Sequence, residues 1–153
     1  MKHIWTVLCE KSTIDKDSNN ISLYNIIEKI NISGPIEELT KLTSSKDGEV
    51  FAHNLSLVSL WSREKKEKGD ITFTFKVDLE SPEKNNLMSN KREVSLKERY
   101  KRTRTKLEMN GTKITGPGEY IFKVSKKEGK NYKVCAEIPL EISFQKNSNL
   151  LSK

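Results

Sequence analysis

Residues 117–124 are Pro-Gly-Glu-Tyr-Ile-Phe-Lys-Val, and a longer alternating run follows over 132–144. In this longer run the even positions are apolar or aromatic, and the odd positions are mostly polar. Side chains two residues apart share one face of a β-strand, so the pattern is typical of a strand with one buried and one solvated face. Pro117 and Gly118 are turn residues that precede the first run. The end of the chain therefore predicts an all-β fold.

Similar strand candidates recur along the chain, separated by turn residues. The clearest is 71–79, where every second residue is apolar. Further candidates lie at 4–14, 21–30, 51–61, 94–96, 103–109 and 121–124. We predict an antiparallel β-sandwich of about eight strands, with Ig-like or C2-like architecture. The loop over 34–48 has room for one short helix around Leu39.

Two segments support more than one interpretation. In 23–30, Leu23, Ile26 and Ile30 recur at helical spacing, but the isoleucine content and the turns on either side suit a bulged strand, which we favour. In 91–109, the alternation of Thr103, Thr105, Leu107 and Met109 indicates a strand, and a helix competes through the spacing of Leu96, Tyr100 and Leu107.

Length and composition limit the organisation of the chain. The 153 residues suit one domain, which we place at 1–145, followed by a flexible tail at 146–153. No apolar run approaches the roughly 20 residues of a membrane span, and the N-terminus lacks a secretory pattern. We therefore expect a cytoplasmic protein without a membrane partner.

Several short segments resemble, in their order and spacing, a family of uncharacterised bacterial proteins known as a domain of unknown function. The segments are Leu8-Cys9-Glu10, residues 20–30, Pro35, Gly69-Asp70-Ile71, Ser81-Pro82 and residues 116–122. Together they cover most of the chain. The resemblance implies a β-sandwich fold and no known activity, ligand or catalytic residue. The basic segment discussed below departs from what the family leads us to expect.

The sequence offers little for catalysis or metal binding. Its two histidines, His3 and His53, and its two cysteines, Cys9 and Cys135, lack the close paired spacing of metal ligands. A nucleophile would need a nearby base and an orienting group, and no such motif is present. We predict free thiols, no metal site, no cofactor and no catalytic residue, so the protein is not expected to be an enzyme.

The positive charge is concentrated in one segment. The chain carries a net charge of +7, and residues 91–106 contain eight Lys or Arg residues against two glutamates. On a strand, Arg102, Arg104 and Lys106 would project from one face about 7 Å apart, with Tyr100 beside them. This spacing is close to that of phosphates along a nucleic-acid strand. The four residues are our candidate anion or nucleic-acid site, although a charged edge strand that resists aggregation explains the same pattern.

The sequence alone does not establish a function. We expect a non-enzymatic binding or scaffold module that recognises a protein partner through an exposed sheet face or edge. The alternative is binding of nucleic acid or another polyanion through the basic segment 91–106. An acidic protein partner would use the same positive charges, and the sequence does not separate the two.

Overall fold

The computed structural model describes residues 1–146, and it confirms an all-β fold with one short helix. The predicted tail at 146–153 lies outside the described residues, except for Lys146. The elements are β1 (Lys2–Ile14), β2 (Ile21–Ile26), β3 (Lys29–Gly34), α1 (Ile36–Lys41), β4 (Glu49–Phe51), β5 (Leu55–Ser62), β6 (Ile71–Glu80), β7 (Asn86–Leu96), β8 (Arg102–Met109), β9 (Thr112–Ile114), β10 (Gly118–Glu128) and β11 (Asn131–Lys146). The described part of the chain has more strands than the eight that we predicted.

The strands form two main sheets and a small ribbon. The first sheet has the order β2-β1-β5-β8, and the second has the order β3-β11-β10-β6-β7. Strands β4 and β9 form the ribbon. All pairs are antiparallel except β3 with β11, which run parallel. The edge strands are therefore β2 and β8 in the first sheet, and β3 and β7 in the second.

The main core lies between the two sheets, because each inner face carries the apolar half of an alternating pattern. Strand β6 contributes Phe73, Phe75, Val77 and Leu79, all buried, while its intervening residues are partly exposed. Trp61 of the first sheet packs on the phenylalanines of the second, with ring centroids 5.0 Å from Phe73 and 5.8 Å from Phe75. Aromatic contacts at this distance stabilise beyond simple burial. They hold the two sheets together.

Residues 23–30 belong to two strands in different sheets, so both the single bulged strand that we favoured and the helix are wrong. Strand β2 pairs with β1, and β3 pairs with β11, so the chain crosses from one sheet to the other at residues 27–28. Asn25 has a φ of 50°, a left-handed conformation that asparagine tolerates better than most residues. Ile30 is buried in the main core, whereas Ile26 is exposed, so the helical spacing does not mark one buried face.

Other boundaries differ by a few residues from the sequence prediction. The run at 51–61 is interrupted at 52–54, between β4 and β5, and β7 begins at Asn86, well before the strand candidate at 94–96. The short helix around Leu39 is confirmed, with Leu39 buried against β3. Short interruptions of this kind leave no clear trace in alternation alone.

The hairpin formed by β1 and β2 extends beyond the rest of its sheet. Strand β1 pairs with β5 from Lys2 to Cys9, and beyond Cys9 it pairs with β2 alone. We call residues 11–26 the hairpin arm. Ser12 of the arm lies 3.5 Å from Ser56 of β5, oxygen to oxygen, so the arm bends over the outer face of the first sheet. Val58 on this face is fully buried although it lies outside the main core cluster.

Candidate binding groove on the first sheet

The basic residues of 91–106 are divided among three surfaces rather than forming one row. Lys91 lies on β7 of the second sheet, with its ammonium 5.7 Å from the ring centroid of Tyr132. Residues 97–101 form the connection between the sheets. Arg102, Arg104 and Lys106 lie on β8 of the first sheet. A ligand that contacts β8 therefore meets only part of the segment's charge.

Strand β8 places its charged and buried residues on opposite faces. Thr105 and Leu107 are buried toward the core, and Arg102, Arg104 and Lys106 alternate with them on the outer face. The strand interpretation of this part of 91–109 is thus confirmed. Within residues 1–146, β8 pairs only with β5, so its other edge is open.

Two of the four predicted site residues hold the hairpin arm. One guanidinium nitrogen of Arg104 donates to the backbone oxygen of Asn19 (2.7 Å) and to its side-chain Oδ1 (2.6 Å). The Lys106 ammonium donates to the backbone oxygen of Ser12 (3.3 Å) and pairs with Glu108 (2.6 Å). The Arg102 guanidinium has no hydrogen-bond partner among residues 1–146, so it is open to a ligand.

Tyr100 is positioned by a network that fixes the loop at 97–101. The Arg63 guanidinium donates to the backbone oxygens of Gly69 (2.7 Å), Lys97 (3.1 Å) and Tyr100 (3.3 Å). The Lys97 ammonium donates to Asp70 (2.8 Å), which lowers the pKa of the Asp70 carboxyl and raises that of Lys97. The Tyr100 side chain remains 48% exposed.

A groove of about 820 Å³ opens on the outer face of the first sheet. Trp5, Leu60 and Arg104 are cross-strand neighbours on β1, β5 and β8, and together they form one row across its floor. The rest of the lining is Ile14, Asn19, Ser95, Leu96, Lys97, Tyr100, Arg102 and Thr103. The groove thus combines an apolar floor with a cationic rim.

Three of the four predicted site residues line this groove, and Lys106 does not. The apolar floor was not predicted as part of a site. The sequence did contain a signal for it, because β1 and β5 carry apolar residues at both odd and even positions, which is typical of strands buried on both faces. The sequence does not show that the hairpin of β1 and β2 covers the second face of the sheet.

Neither histidine lines the groove, and no acidic residue of 1–146 does so. His3 faces Trp61, and His53 stacks on Phe51. Asp15 accepts hydrogen bonds from the backbone of Asp17 and Ser18, so it stabilises its own turn. Among residues 1–146, no three His, Cys, Asp or Glu side chains are grouped to hold a metal ion. In the same range no helix is long and apolar enough to cross a membrane.

The sequence matches no protein-family model, and no curated protein is significantly similar to it. The resemblance to uncharacterised bacterial proteins therefore stays a prediction.

Proposed function

We propose that the protein is a non-enzymatic binding module whose groove receives a protein segment with both acidic and apolar side chains. The observation that carries this proposal is the row of Trp5, Leu60 and Arg104, with the open guanidinium of Arg102 at the rim. Apolar side chains of a partner would pack on Trp5 and Leu60, and this contact would remove apolar surface from water. A carboxylate would form a charge-assisted hydrogen bond with Arg102.

A protein segment fits this surface better than a nucleic-acid backbone. A phosphate row needs several free cations at regular spacing, but Arg104 and Lys106 are already engaged by the hairpin arm. The apolar floor also suits the core of a protein interface, which is depleted in charged residues. One feature supports nucleic-acid binding: the rings of Trp5 and Tyr100 offer stacking surfaces beside Arg102.

We place the module in the cytoplasm. Cys9 and Cys135 are free thiols, which is typical of a reducing compartment. Burial raises the pKa of the Cys9 thiol, so this group is held in its unreactive protonated form. This supports a structural rather than a catalytic role for the residue.

The test is fluorescence anisotropy with three labelled probes at low salt: a short peptide of alternating Glu and Leu, a matched peptide of alternating Glu and Ser, and single-stranded oligo-dT. The variants are Arg102→Ala and Trp5→Ala. Arg92→Ala is the matched control, because Arg92 is an exposed arginine on β7 of the second sheet that does not line the groove. Arg104 and Lys106 are left unchanged, since removing them would also release the hairpin arm.

We expect the Glu-Leu peptide to bind the wild type. Each groove variant should lower its affinity by about tenfold, because Arg102→Ala removes one hydrogen-bonded charge and Trp5→Ala removes one apolar contact. Arg92→Ala should bind like the wild type. Equal loss in Arg92→Ala, or equal affinity for the Glu-Ser peptide, would contradict a specific groove. Tighter binding of oligo-dT, lost in both groove variants, would instead support the nucleic-acid alternative.

A further inference from the structure

Strand β2 differs from the other sheet edges because it has no charged residue. Its sequence is Ile-Ser-Leu-Tyr-Asn-Ile. The charged residues on the other edges of the described sheets are Arg102, Arg104, Lys106 and Glu108 on β8, Lys91, Arg92 and Glu93 on β7, and Lys29 on β3. Charges on an edge strand prevent another chain from adding to the sheet. Strand β2 lacks this protection.

The free side of β2 is also open and apolar. The strand pairs with β1 on one side, and no described residue of 1–146 pairs along its other side. Tyr24 is 50% exposed and Ile26 is 63% exposed. An unpaired row of backbone N–H and C=O groups next to apolar side chains is a template for another β-strand.

We propose that β2 pairs antiparallel with β2 of a second copy of this chain, so that two four-stranded sheets join into one. The backbone edge requires a strand as its occupant, and the neutral sequence gives no preference for an acidic partner, which would be drawn to β8 instead. A two-fold pairing is self-complementary, and it covers the open edge of both copies at once. No like charges face each other within the paired strands.

The geometry of β2 also selects a register. In a two-fold antiparallel pair, opposite residues must lie on the same face, so either Leu23 or Tyr24 lies on the axis. Asn25 has left-handed backbone geometry, which disturbs regular pairing. With Leu23 on the axis, Asn25 falls at the end of the paired segment, and Ser22 faces Tyr24 of the second copy. This register keeps the regular part of the strand at the centre.

The contact is short, so we expect association in the micromolar range rather than an obligate dimer. Two molecules that each carry a net charge of +7 repel one another at long range. Salt screens this repulsion and should therefore strengthen the association. Binding of an acidic peptide in the groove should have the opposite salt dependence, because there the charges attract.

The test is sedimentation velocity on the full chain across a concentration series at low and moderate salt. Ser22→Lys/Tyr24→Lys places lysines directly opposite each other in the proposed register, where like charges destabilise pairing. Thr72→Lys/Ser89→Lys is the matched control, since it adds the same two charges at exposed strand positions of the second sheet, away from β2. Circular dichroism should confirm that all three proteins are folded.

We expect the wild type and the control to reach the mass of a dimer, and the β2 variant to associate at least about tenfold more weakly. A wild type that stays monomeric at the highest concentration would overturn the proposal. Equal association of the β2 variant and the control would overturn it as well. Open-ended growth beyond the dimer would exclude the closed two-fold pairing.

Discussion

At the scale of single residues, His3 is a histidine whose surroundings disfavour its protonated, charged form. Its Nε2 shares a hydrogen bond of 2.7 Å with Thr6 Oγ1, and its ring packs edge-on to Trp61 at 5.1 Å. Burial lowers the pKa of His3 below the usual value of 6.5. The unfolded chain therefore takes up a proton at a higher pH than the folded chain does. The free energy of unfolding should fall as the pH drops through 6.5.

We predict that His3→Gln flattens this pH dependence, because glutamine does not titrate and still offers an amide to Thr6. The measurement is urea unfolding at several pH values between about 5 and 7.5, above the range where carboxylates titrate. His53→Gln is the matched control, because it removes the other histidine of the chain and leaves the contacts of His3 intact. An unchanged slope in His3→Gln would show that another group is responsible.

At the scale of elements, the hairpin arm explains what the cations of β8 do in the folded chain. Val58 is fully buried on the face over which the arm bends, and burial of such a side chain contributes about 2 kcal/mol relative to leaving it exposed. The tip of the arm is tied to β8 through Asn19 and Arg104. Asn19 has a φ of 55°, so a glycine at this position would keep the turn and lose only the side-chain acceptor.

We therefore predict that Asn19→Gly loosens the arm without unfolding the sheet. Loss of one charge-assisted hydrogen bond of roughly 1–1.5 kcal/mol should speed hydrogen exchange at the backbone amides of 11–24 by about fivefold to tenfold. Amides of β10 should be unchanged. Asn20→Gly is the matched control, because it changes the same residue type one position along the turn. Equal acceleration in both variants would mean that the turn, not the contact with Arg104, is what changed.

The elements also show where prediction from the sequence succeeds and fails. Alternation identified β6, β10 and β11, because one face of each strand is buried and the other is wet. It did not reveal the break at 27–28 or the arm, since these depend on which strands become neighbours. For the same reason Arg102 and Arg104 looked equivalent in sequence, yet Asn19, distant in the chain, engages only Arg104.

At the scale of the whole molecule, the first sheet has one tryptophan on each face, so the two tryptophans report on the two faces separately. Trp61 donates to Thr105 Oγ1 (3.0 Å) within the main core, where it contacts the second sheet. Trp5 lies in the groove on the opposite face. The buried apolar residues between the sheets form one continuous cluster, to which both sheets contribute. A single cluster of this kind favours cooperative unfolding.

We predict that Trp5→Phe unfolds in urea with the same midpoint by tryptophan fluorescence and by far-ultraviolet circular dichroism. In this variant Trp61 is the only tryptophan, so its fluorescence follows the contact between the sheets, while circular dichroism follows all strands. The two midpoints should coincide because neither sheet can keep its apolar face covered once the other has unfolded. Equal midpoints would support one domain at 1–145. If Trp61 became exposed at a lower urea concentration than that at which the strands are lost, the sheets would be separate folding units.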